Sequence, residues 1–403
     1  NFVSELFEWS FWFSKFKLRI GLKEKMYSNL FLNKETPLLA VDIGSQSITI
    51  AQLNFIENVC ELVGVGVMPL PKGSVVDGLV ENPGEVSDII KKIIKSEKFK
   101  SRYVVSSIPG DHGVIRKLTL PAKNKEELVE ELLHEVEHEI PFDIEDVRYD
   151  YHVVEHTENL PESVWGGGGS EEKKFEVIVA AVQHEIIDNR FDTLVEAGLT
   201  PVVFDLETFA SIRSLDFTKD LFPIEPCALI NLNDPYSYVS IVSNGHLVFD
   251  KKNPVSGHCS TNWRQNIPRG FFRKANKVEE YFNNKFSKEF QSEEKMDAGM
   301  SLIGEEPDMD SVEKIIDEAS EAIENFSEST NEKVRRIFIH GVGALAYGMQ
   351  RLISEHFQIP VEIMNPFRSI KVDPRRFHQK ELNDLGPQFA VVMGLAARRF
   401  DCK

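Results

Sequence analysis

The feature that most constrains the fold is a strand–turn–strand unit that occurs twice, at positions 38–53 and again at 228–243. In the first copy, an apolar run over 38–41 and a second run over 48–53 flank a short polar turn. Short apolar and β-branched runs bounded by turn residues are typical of buried strands. Because the unit recurs far along the chain, it predicts a duplicated architecture with two related halves.

The rest of the chain alternates strand and helix patterns, which indicates an α/β protein. Helices are predicted over 83–96, 125–139, 184–197 and 387–397, and the acidic stretch 293–332 also has a helical pattern. Further strands are predicted over 59–67, 103–108, 113–120, 149–155, 175–182, 202–206, 246–250, 334–339 and 361–364. The glycine-rich run 166–170 predicts a flexible linker. Since 403 residues exceed one ordinary core, we expect two or three domains.

Charge and cysteine content exclude several classes of protein. The chain has 46 basic and 64 acidic residues, a formal net charge of −18, and no basic stripe in its sequence. Such a chain is a poor nucleic-acid binder, because phosphate affinity requires clustered Lys and Arg. Its 4 cysteines form no CxxC pair, which is typical of reduced thiols in a cytoplasmic protein. No stretch approaches the ~20 consecutive apolar residues of a membrane-spanning helix.

The N-terminal segment 1–25 is rich in aromatic residues and then in basic ones, and two interpretations stay open. It is either an interfacial helix on an anionic membrane or an extension upstream of a start at Met26. We favour the second, because Met26 precedes the first convincing strand. His134 and His138 lie four residues apart in the order HEVEH. We expect a solvated helix face there rather than a metal pair.

The turn of the first unit has the composition of a phosphate-binding hairpin. Gly44 would let the backbone approach a phosphate, and the N–H groups of the turn, with the hydroxyls of Ser45 and Ser47, would donate to its oxygens. Gln46 lies within the same turn, and Asp42 can hold Mg²⁺ through water. An ordinary β-hairpin can have this composition too, so the turn alone does not establish a binding site.

A second candidate follows the strand predicted over 334–339. Gly341, Gly343 and Ala344 stand where we expect a strand-to-helix junction. Close backbone approach and a helix N-terminus there would suit the nucleoside and phosphate of a ligand. A GxG sequence at such a junction is equally often a packing device, so the weight comes from its combination with the duplicated hairpins.

That combination resembles the actin/Hsp70-type ATPase fold and, within it, the PilM family of type IV pilus assembly proteins. The similarity runs from about position 37 to 399, and the tail is its most specific part. The segments that carry it are 39–45 (LAVDIGS), 102–105 (RYVV), 136–142 (VEHEIPF), 197–205 (AGLTPVVFD), 365–367 (NPF), 372–377 (VDPRRF) and 386–396 (GPQFAVVMGLA).

The resemblance implies an α/β fold with two RNase H-like halves around a nucleotide cleft, and an SHS2-type α+β subdomain inserted in the first half. The implied division has an N-terminal extension 1–35, a first half 36–111 continued by 201–223 and 365–403, an inserted subdomain 112–200 and a second half 224–364.

The resemblance also implies a function. The chain would be a cytoplasmic scaffold of the inner-membrane pilus platform, peripheral to the membrane through its partners. It would capture the cytoplasmic N-terminal tail of PilN, a single-span membrane protein, in a groove floored by residues 125–139 and 202–206. It would also relay contact toward other pilus platform and motor proteins. It would bind ATP or ADP with Mg²⁺ through the two turns above, with Glu279 and Glu280 on the ribose side.

Three departures from the family pattern bear on catalysis. The second phosphate hairpin of the family reads Asp-Ile-Gly, whereas this chain has Asn231 and Asn233 at its ends. Asn lacks a carboxylate for Mg²⁺ or water, and Asn233 resists the backbone approach that Gly permits. Phe282 replaces a ribose-side Lys, and Cys259 replaces an acidic residue. We therefore expect weak or absent hydrolysis; an active ATPase and an FtsA-like cell-division scaffold stay open as alternatives.

Overall fold

The computed structural model describes residues 37–56, 59–122, 124–154, 173–217, 225–233, 236–253 and 309–398. The predictions for segment 1–25, the run 166–170, Cys259, Glu279, Glu280 and Phe282 lie outside these residues. Within the described ranges, no helix combines the length and apolar character needed to cross a membrane.

The described part of the chain contains fifteen strands and eight α-helices. In chain order the strands are β1 (Leu39–Ile43), β2 (Ser47–Ile56), β3 (Val59–Pro69), β4 (Val75–Val76), β5 (Leu79–Val80), β6 (Tyr103–Ile108), β7 (Gly113–Ala122), β8 (Val147–Val154), β9 (Lys173–Gln183), β10 (Thr200–Leu206), β11 (Cys227–Leu232), β12 (Ser237–Ser243), β13 (His246–Asn253), β14 (Arg336–His340) and β15 (Val361–Ile363). The helices are α1 (Pro83–Glu97), α2 (Lys125–Glu139), α3 (His184–Glu196), α4 (Glu207–Ser214), α5 (Met309–Thr330), α6 (Met349–Phe357), α7 (Gln379–Leu385) and α8 (Ala390–Ala396).

The first half is a five-stranded mixed sheet in the order β10–β6–β1–β2–β3. β1 pairs antiparallel with β2 and parallel with β6, which pairs parallel with β10. Both faces of β1 are buried, since Leu39, Val41 and Ile43 pack with α1 and α3, while Ala40 packs on the other face with α8. A strand covered on both faces reads as a continuous apolar run, which is why this segment lacks alternation.

The second half repeats this arrangement with the order β13–β12–β11–β14–β15. β11 pairs antiparallel with β12 and parallel with β14, as β1 does with β2 and β6. Helices α5 and α6 cover one face, where Ile315, Ala319 and Ile353 join the strand side chains in a second core. The duplication predicted from the sequence is therefore confirmed in the sheet topology.

A three-stranded antiparallel sheet, β7–β9–β8, is inserted in the first half. α2 packs on it through Leu128, Leu132 and Val136, which have their own hydrophobic core. The domain boundaries implied by the resemblance stay predictions.

Local sequence chemistry accounts for several element ends. The Asn124 side chain accepts a hydrogen bond from the Glu127 N–H at 2.8 Å, so α2 begins at the residue predicted for it. After α3, Gly198 adopts φ +78°, and the N–H groups of Gly198 and Leu199 donate to Val195 and Leu194 in a Schellman motif. Most strands extend one to three residues beyond the predicted bounds, because ladder pairing continues past the apolar run.

Candidate functional site

The turn between β1 and β2 forms one wall of a cleft between the two halves. The Gly44 N–H donates to the Ser47 carbonyl at 2.9 Å, and the Leu70 N–H donates to the Gln46 carbonyl at 2.7 Å, which fixes the turn. A Cβ on Gly44 would lie 3.2 Å from the Ser47 carbonyl oxygen, so the tight turn leaves little room for a side chain. The predicted residues Asp42, Gly44, Ser45, Gln46 and Ser47 all line this cleft.

The Asp42 carboxylate is the central acidic group of the cleft. Its Oδ1 accepts a hydrogen bond from the Ser107 hydroxyl at 2.6 Å, and its Oδ2 accepts one from the Thr49 hydroxyl at 3.3 Å. Burial raises the pKa of Asp42, although the hydrogen bond from Ser107, the positive charge of Arg190 and the hydrogen bond from Thr49 act in the opposite direction. A poorly solvated carboxylate gains strongly from a cation or a cation-bound water beside it.

Arg190 of α3 is the main cleft residue that sequence reasoning missed. Its guanidinium is fully buried and donates to the carbonyl oxygens of Ile43 at 3.1 Å, Ser107 at 3.3 Å and Gly78 at 3.1 Å. These carbonyls come from the ends of β1 and β6 and from the β4–β5 turn, which are far apart in sequence. On an amphipathic helix, an arginine carries no local signal that distinguishes this position from a solvated one.

The second hairpin, between β11 and β12, faces the late glycine turn. The Asn233 Oδ1 accepts a hydrogen bond from the Val342 N–H at 3.2 Å. Gly341 has φ +90°, and a Cβ there would lie 2.7 Å from both the Asn233 Oδ1 and the Leu232 carbonyl oxygen. The Gly341 N–H donates to the Pro387 carbonyl at 3.0 Å. Gly341 therefore permits close packing of the turn against the second hairpin and the C-terminal segment.

The residues of the glycine turn after Gly341 lie partly at the cleft surface and partly beneath it. Val342 lines the cleft, whereas Gly343 and Ala344 are buried and Ala344 belongs to the core of the second half. The expected junction with an α-helix does not occur. Residues Val342–Leu345 form a 3₁₀ turn, and α6 begins at Met349 after Gly348 adopts φ +79°. The first turn of an α-helix does not point at the cleft from this position.

Asn231 and His340 form a buried polar pair at the ends of β11 and β14. They are opposite each other in the register, on the face whose apolar members Leu229 and Phe338 join the core of the first half. The Asn231 Oδ1 and both ring nitrogens of His340 have no hydrogen-bond partner among the described residues. Burial lowers the pKa of His340 to about 3, so its ring is neutral at physiological pH.

Contacts across the mouth of the cleft join the two halves. The Tyr236 hydroxyl donates to the Asp77 Oδ1 at 3.4 Å, and the Lys252 Nζ lies 3.4 Å from the centre of the Tyr236 ring. Tyr238 packs so closely on Gly110 that a Cβ there would lie 3.0 Å from its ring. The remaining cleft residues that the sequence did not indicate are Val75, Pro109, Glu207 and Gln388.

This donor set suits an anionic ligand that carries a cation. The hairpin offers backbone N–H groups and two hydroxyls near one carboxylate, with the Arg190 charge behind it. Carboxylate and hydroxyl oxygens are ligands that Mg²⁺ accepts, and one or two of them are enough when phosphates supply the rest. In the described ranges, no group of three His, Cys, Asp or Glu residues could hold a metal by itself.

Two other predicted features lie away from the cleft. The rings of His134 and His138 contact each other edge to face, with their centroids 4.7 Å apart on α2. Helix α2 and strand β10, which were predicted to form the floor of one groove, belong to separate hydrophobic cores. Leu132 packs in the core of the inserted subdomain, whereas Phe204 and Leu206 pack in the core of the first half.

Comparison with known proteins agrees with this architecture. A family model described as type IV pilus assembly protein PilM matches residues 40–400. A solved chain from a PilM–PilN type IV pilus biogenesis complex is similar with a TM-score of 0.69 and 22% identity, covering 90% of this chain and 98% of that one.

More distant similarities extend to other solved structures. The ethanolamine utilization protein EutJ of Carboxydothermus hydrogenoformans has a TM-score of 0.44 and 12% identity, covering 99% of this chain and 100% of that one. MreB 5 of Spiroplasma citri bound to AMPPNP has a TM-score of 0.41 and 12% identity, covering 89% and 94%. The duplicated sheets and the match over nearly the whole chain lead to one conclusion: this protein has the actin-like ATPase fold and belongs to the PilM family of type IV pilus assembly proteins.

Proposed function

We propose that the protein is a scaffold of the type IV pilus inner-membrane platform that binds the cytoplasmic tail of PilN and holds ATP or ADP in its cleft with little or no hydrolysis. The family match over residues 40–400 supports a role in pilus assembly. The similar chain that was solved as a PilM–PilN complex supports PilN as the partner. The protein would then work in the cytoplasm, held at the inner membrane through that partner.

The groove between the first half and the inserted subdomain is our candidate for the PilN tail. Leu133 on α2 keeps 39% of its side chain exposed, which makes it a candidate apolar anchor for an extended peptide. A fluorescent peptide with the sequence of the cognate tail should bind, and Leu133→Asp should weaken it at least about tenfold. Val195→Asp is the matched control, since Val195 is 46% exposed on α3. If a scrambled peptide binds equally well, the proposed partner is wrong.

The first hairpin is the proposed phosphate site. The Gly44 turn and the hydroxyls of Ser45 and Ser47 would donate to phosphate oxygens, and Asp42 would hold Mg²⁺ through water. When bound there, Mg²⁺ would supply positive charge that offsets the charge of the phosphates. The residues of the second hairpin would contribute less, because Asn231 offers no carboxylate and the Asn233 side chain is bonded to the glycine turn.

We expect weak hydrolysis because of the residues of the second hairpin. Asn231 and Asn233 carry amides where a carboxylate would orient metal and water, and such electrostatic contributions are worth several kcal/mol in a transition state. Calorimetry should detect Mg-ATP binding that Asp42→Ala abolishes, while phosphate release stays at background. Asp88→Ala is the matched control, since Asp88 is exposed on α1. Absence of binding would contradict the nucleotide proposal, and robust turnover lost in Asp42→Ala would contradict weak hydrolysis.

A further inference from the structure

The end of the first sheet that faces away from the cleft carries a basic loop between α1 and β6. β6 runs parallel to β1 with Val104 opposite Leu39, so residues 98–102 lie at the start of these strands, whereas Asp42 lies at their other end. Lys98, Lys100 and Arg102 are exposed, and the segment contains no acidic residue.

A second basic loop covers the same end of the sheet at β3. The Lys371 N–H donates to the Cys60 carbonyl at 2.8 Å, and the Leu62 N–H donates to the Lys371 carbonyl at 2.9 Å. β3 begins at Val59, opposite Ile56, which is the end of the β2–β3 ladder remote from the cleft. Segment 368–376 therefore joins segment 98–102 at one end of the molecule, and we name the two segments the basic end surface.

The basic end surface is positively charged, whereas the whole chain is strongly negative. Arg368, Lys371, Arg375 and Arg376 are exposed, and Asp373 is the one acidic residue in 368–376, so each segment has a net charge of +3. Glu61 on β3 lies 3.5 Å from Lys371 and offsets one of these charges. A protein with a net charge of −18 thus presents seven exposed basic side chains and one acidic residue on these two loops, in opposition to its overall field.

We infer that the basic end surface contacts the surface of an anionic lipid bilayer directly. Segment 368–376 pairs beyond β3, so the two loops are separated by four strand spacings, or about 19 Å. Their cations therefore spread across the end of the sheet instead of converging on one pocket. A spread array of long basic side chains matches a plane of anionic headgroups better than a single acidic peptide. Each Lys or Arg near such a surface raises affinity about fivefold.

A further observation is where the chain enters this end of the fold. The Ser101 hydroxyl, inside the first loop, donates to the Pro37 carbonyl at 2.6 Å, so the chain enters the described fold at the basic end surface. With this end on the membrane, the cleft at the opposite end of β1 faces the cytoplasm. This contact goes beyond attachment through PilN and does not depend on it.

The test is flotation of the full-length chain, without PilN, on vesicles containing about 40% phosphatidylglycerol or on pure phosphatidylcholine vesicles. We expect binding to the anionic vesicles only, lost between about 0.1 M and 0.5 M salt. Arg375→Glu/Arg376→Glu and, separately, Lys100→Glu/Arg102→Glu should each weaken binding at least about tenfold. Unchanged thermal melting of these surface variants shows that they remain folded.

A matched control and a competing ligand sharpen the result. Lys333→Glu/Arg351→Glu makes the same charge change on exposed residues of the second half, and it should leave vesicle binding within about threefold of the unmodified chain. Equal binding to zwitterionic vesicles, or equal losses in the control and test variants, would overturn the inference. Tight binding of polyglutamate without vesicle binding would identify an acidic protein partner instead and would also overturn it.

Discussion

Gly341 is held in a conformation where a side chain would meet both strain and a clash. Its φ of +90° disfavours any L side chain, and a Cβ would lie 2.7 Å from the Leu232 carbonyl oxygen. Gly348 shares the strain, with φ +79°, but no atom lies within 4 Å of its Cβ position. Comparing substitutions at Gly341 and Gly348 therefore separates the cost of backbone strain from the cost of a clash with the second hairpin.

We predict that Gly341→Ala lowers the free energy of unfolding by about 2–4 kcal/mol more than Gly348→Ala, which should cost about 1–2 kcal/mol. Urea unfolding followed by circular dichroism measures both values. Equal losses in the two variants would mean that the turn moves away from the hairpin and that the contact contributes nothing.

Asp250 on β13 is a half-buried carboxylate between the halves. The Ser240 hydroxyl donates to it at 2.6 Å and the Thr208 hydroxyl of α4 at 3.4 Å. Burial raises the pKa of Asp250 from 3.8 to about 6, although both hydrogen bonds lower it. Because the folded state holds this proton more tightly than the unfolded state, the contribution of Asp250 to stability falls as pH rises from about 4 to about 6.

We predict that Asp250→Asn, which carries no charge, gains stability relative to the unmodified chain by about 2–3 kcal/mol between pH 4 and pH 7. The measurement is the difference in unfolding free energy between the two chains at each pH. Asp88→Asn, at an exposed position of α1, is the matched control. A constant difference for Asp250→Asn would show that the carboxyl ionises normally.

Helix α3 is hydrogen-bonded to several segments of the first half that surround the cleft. Arg190 donates to the ends of β1 and β6 and to the β4–β5 turn, as described above. Beside it, the Asn189 Oδ1 accepts from the Val80 N–H at 2.8 Å, and its Nδ2 donates to the Val80 carbonyl at 3.0 Å. The Asn189 side chain thus takes the place of a second sheet neighbour for β5, which already pairs with β4.

We predict that Arg190→Met lowers the free energy of unfolding by about 3–5 kcal/mol, because three buried carbonyls lose a charged donor. Asn189→Ala keeps that donor, so it should cost about 1–3 kcal/mol and accelerate hydrogen exchange at Val80. Lys91→Met, on an exposed position of α1, is the control and should stay within about 0.5 kcal/mol. An effect of Arg190→Met as small as the control would contradict this account.

At the scale of the whole molecule, contacts between the halves set how readily the cleft opens. The hydrogen bond from Tyr236 to Asp77 crosses the mouth, while Tyr238 packs on Gly110 beside it. The first contact is exposed and 3.4 Å long, so it holds the mouth weakly and can break without disturbing either core.

We predict that Tyr236→Phe speeds dissociation of a fluorescent ADP from the cleft by about two- to fivefold, because one weak hydrogen bond is lost. Stopped-flow chase with unlabelled ADP measures the rate. Tyr347→Phe removes a hydroxyl from a 60% exposed tyrosine away from the cleft and should leave the rate unchanged. An unchanged rate in Tyr236→Phe would show that this contact does not limit release.

Local sequence was sufficient for the duplicated plan and for most of the elements, although β4, β5, α4 and α7 were not predicted. The apolar runs of β1 and β11 marked buried strands, Asn124 and Gly198 marked helix ends, and the Asp42 turn was correctly placed as a hairpin. These features depend on propensity, capping and periodicity, which act within a few residues. The family resemblance rested on equally local segments.

Only the tertiary structure decided how the cleft and the surface are assembled. Arg190 gathers carbonyls from three distant segments, and Asn233 bonds to Val342, more than a hundred positions away in the chain. The basic end surface was invisible for the same reason, since its two loops are each short and lie far apart in an acidic sequence. Strand pairing across the sheet brings such groups together, and no local pattern encodes which distant strand becomes the neighbour.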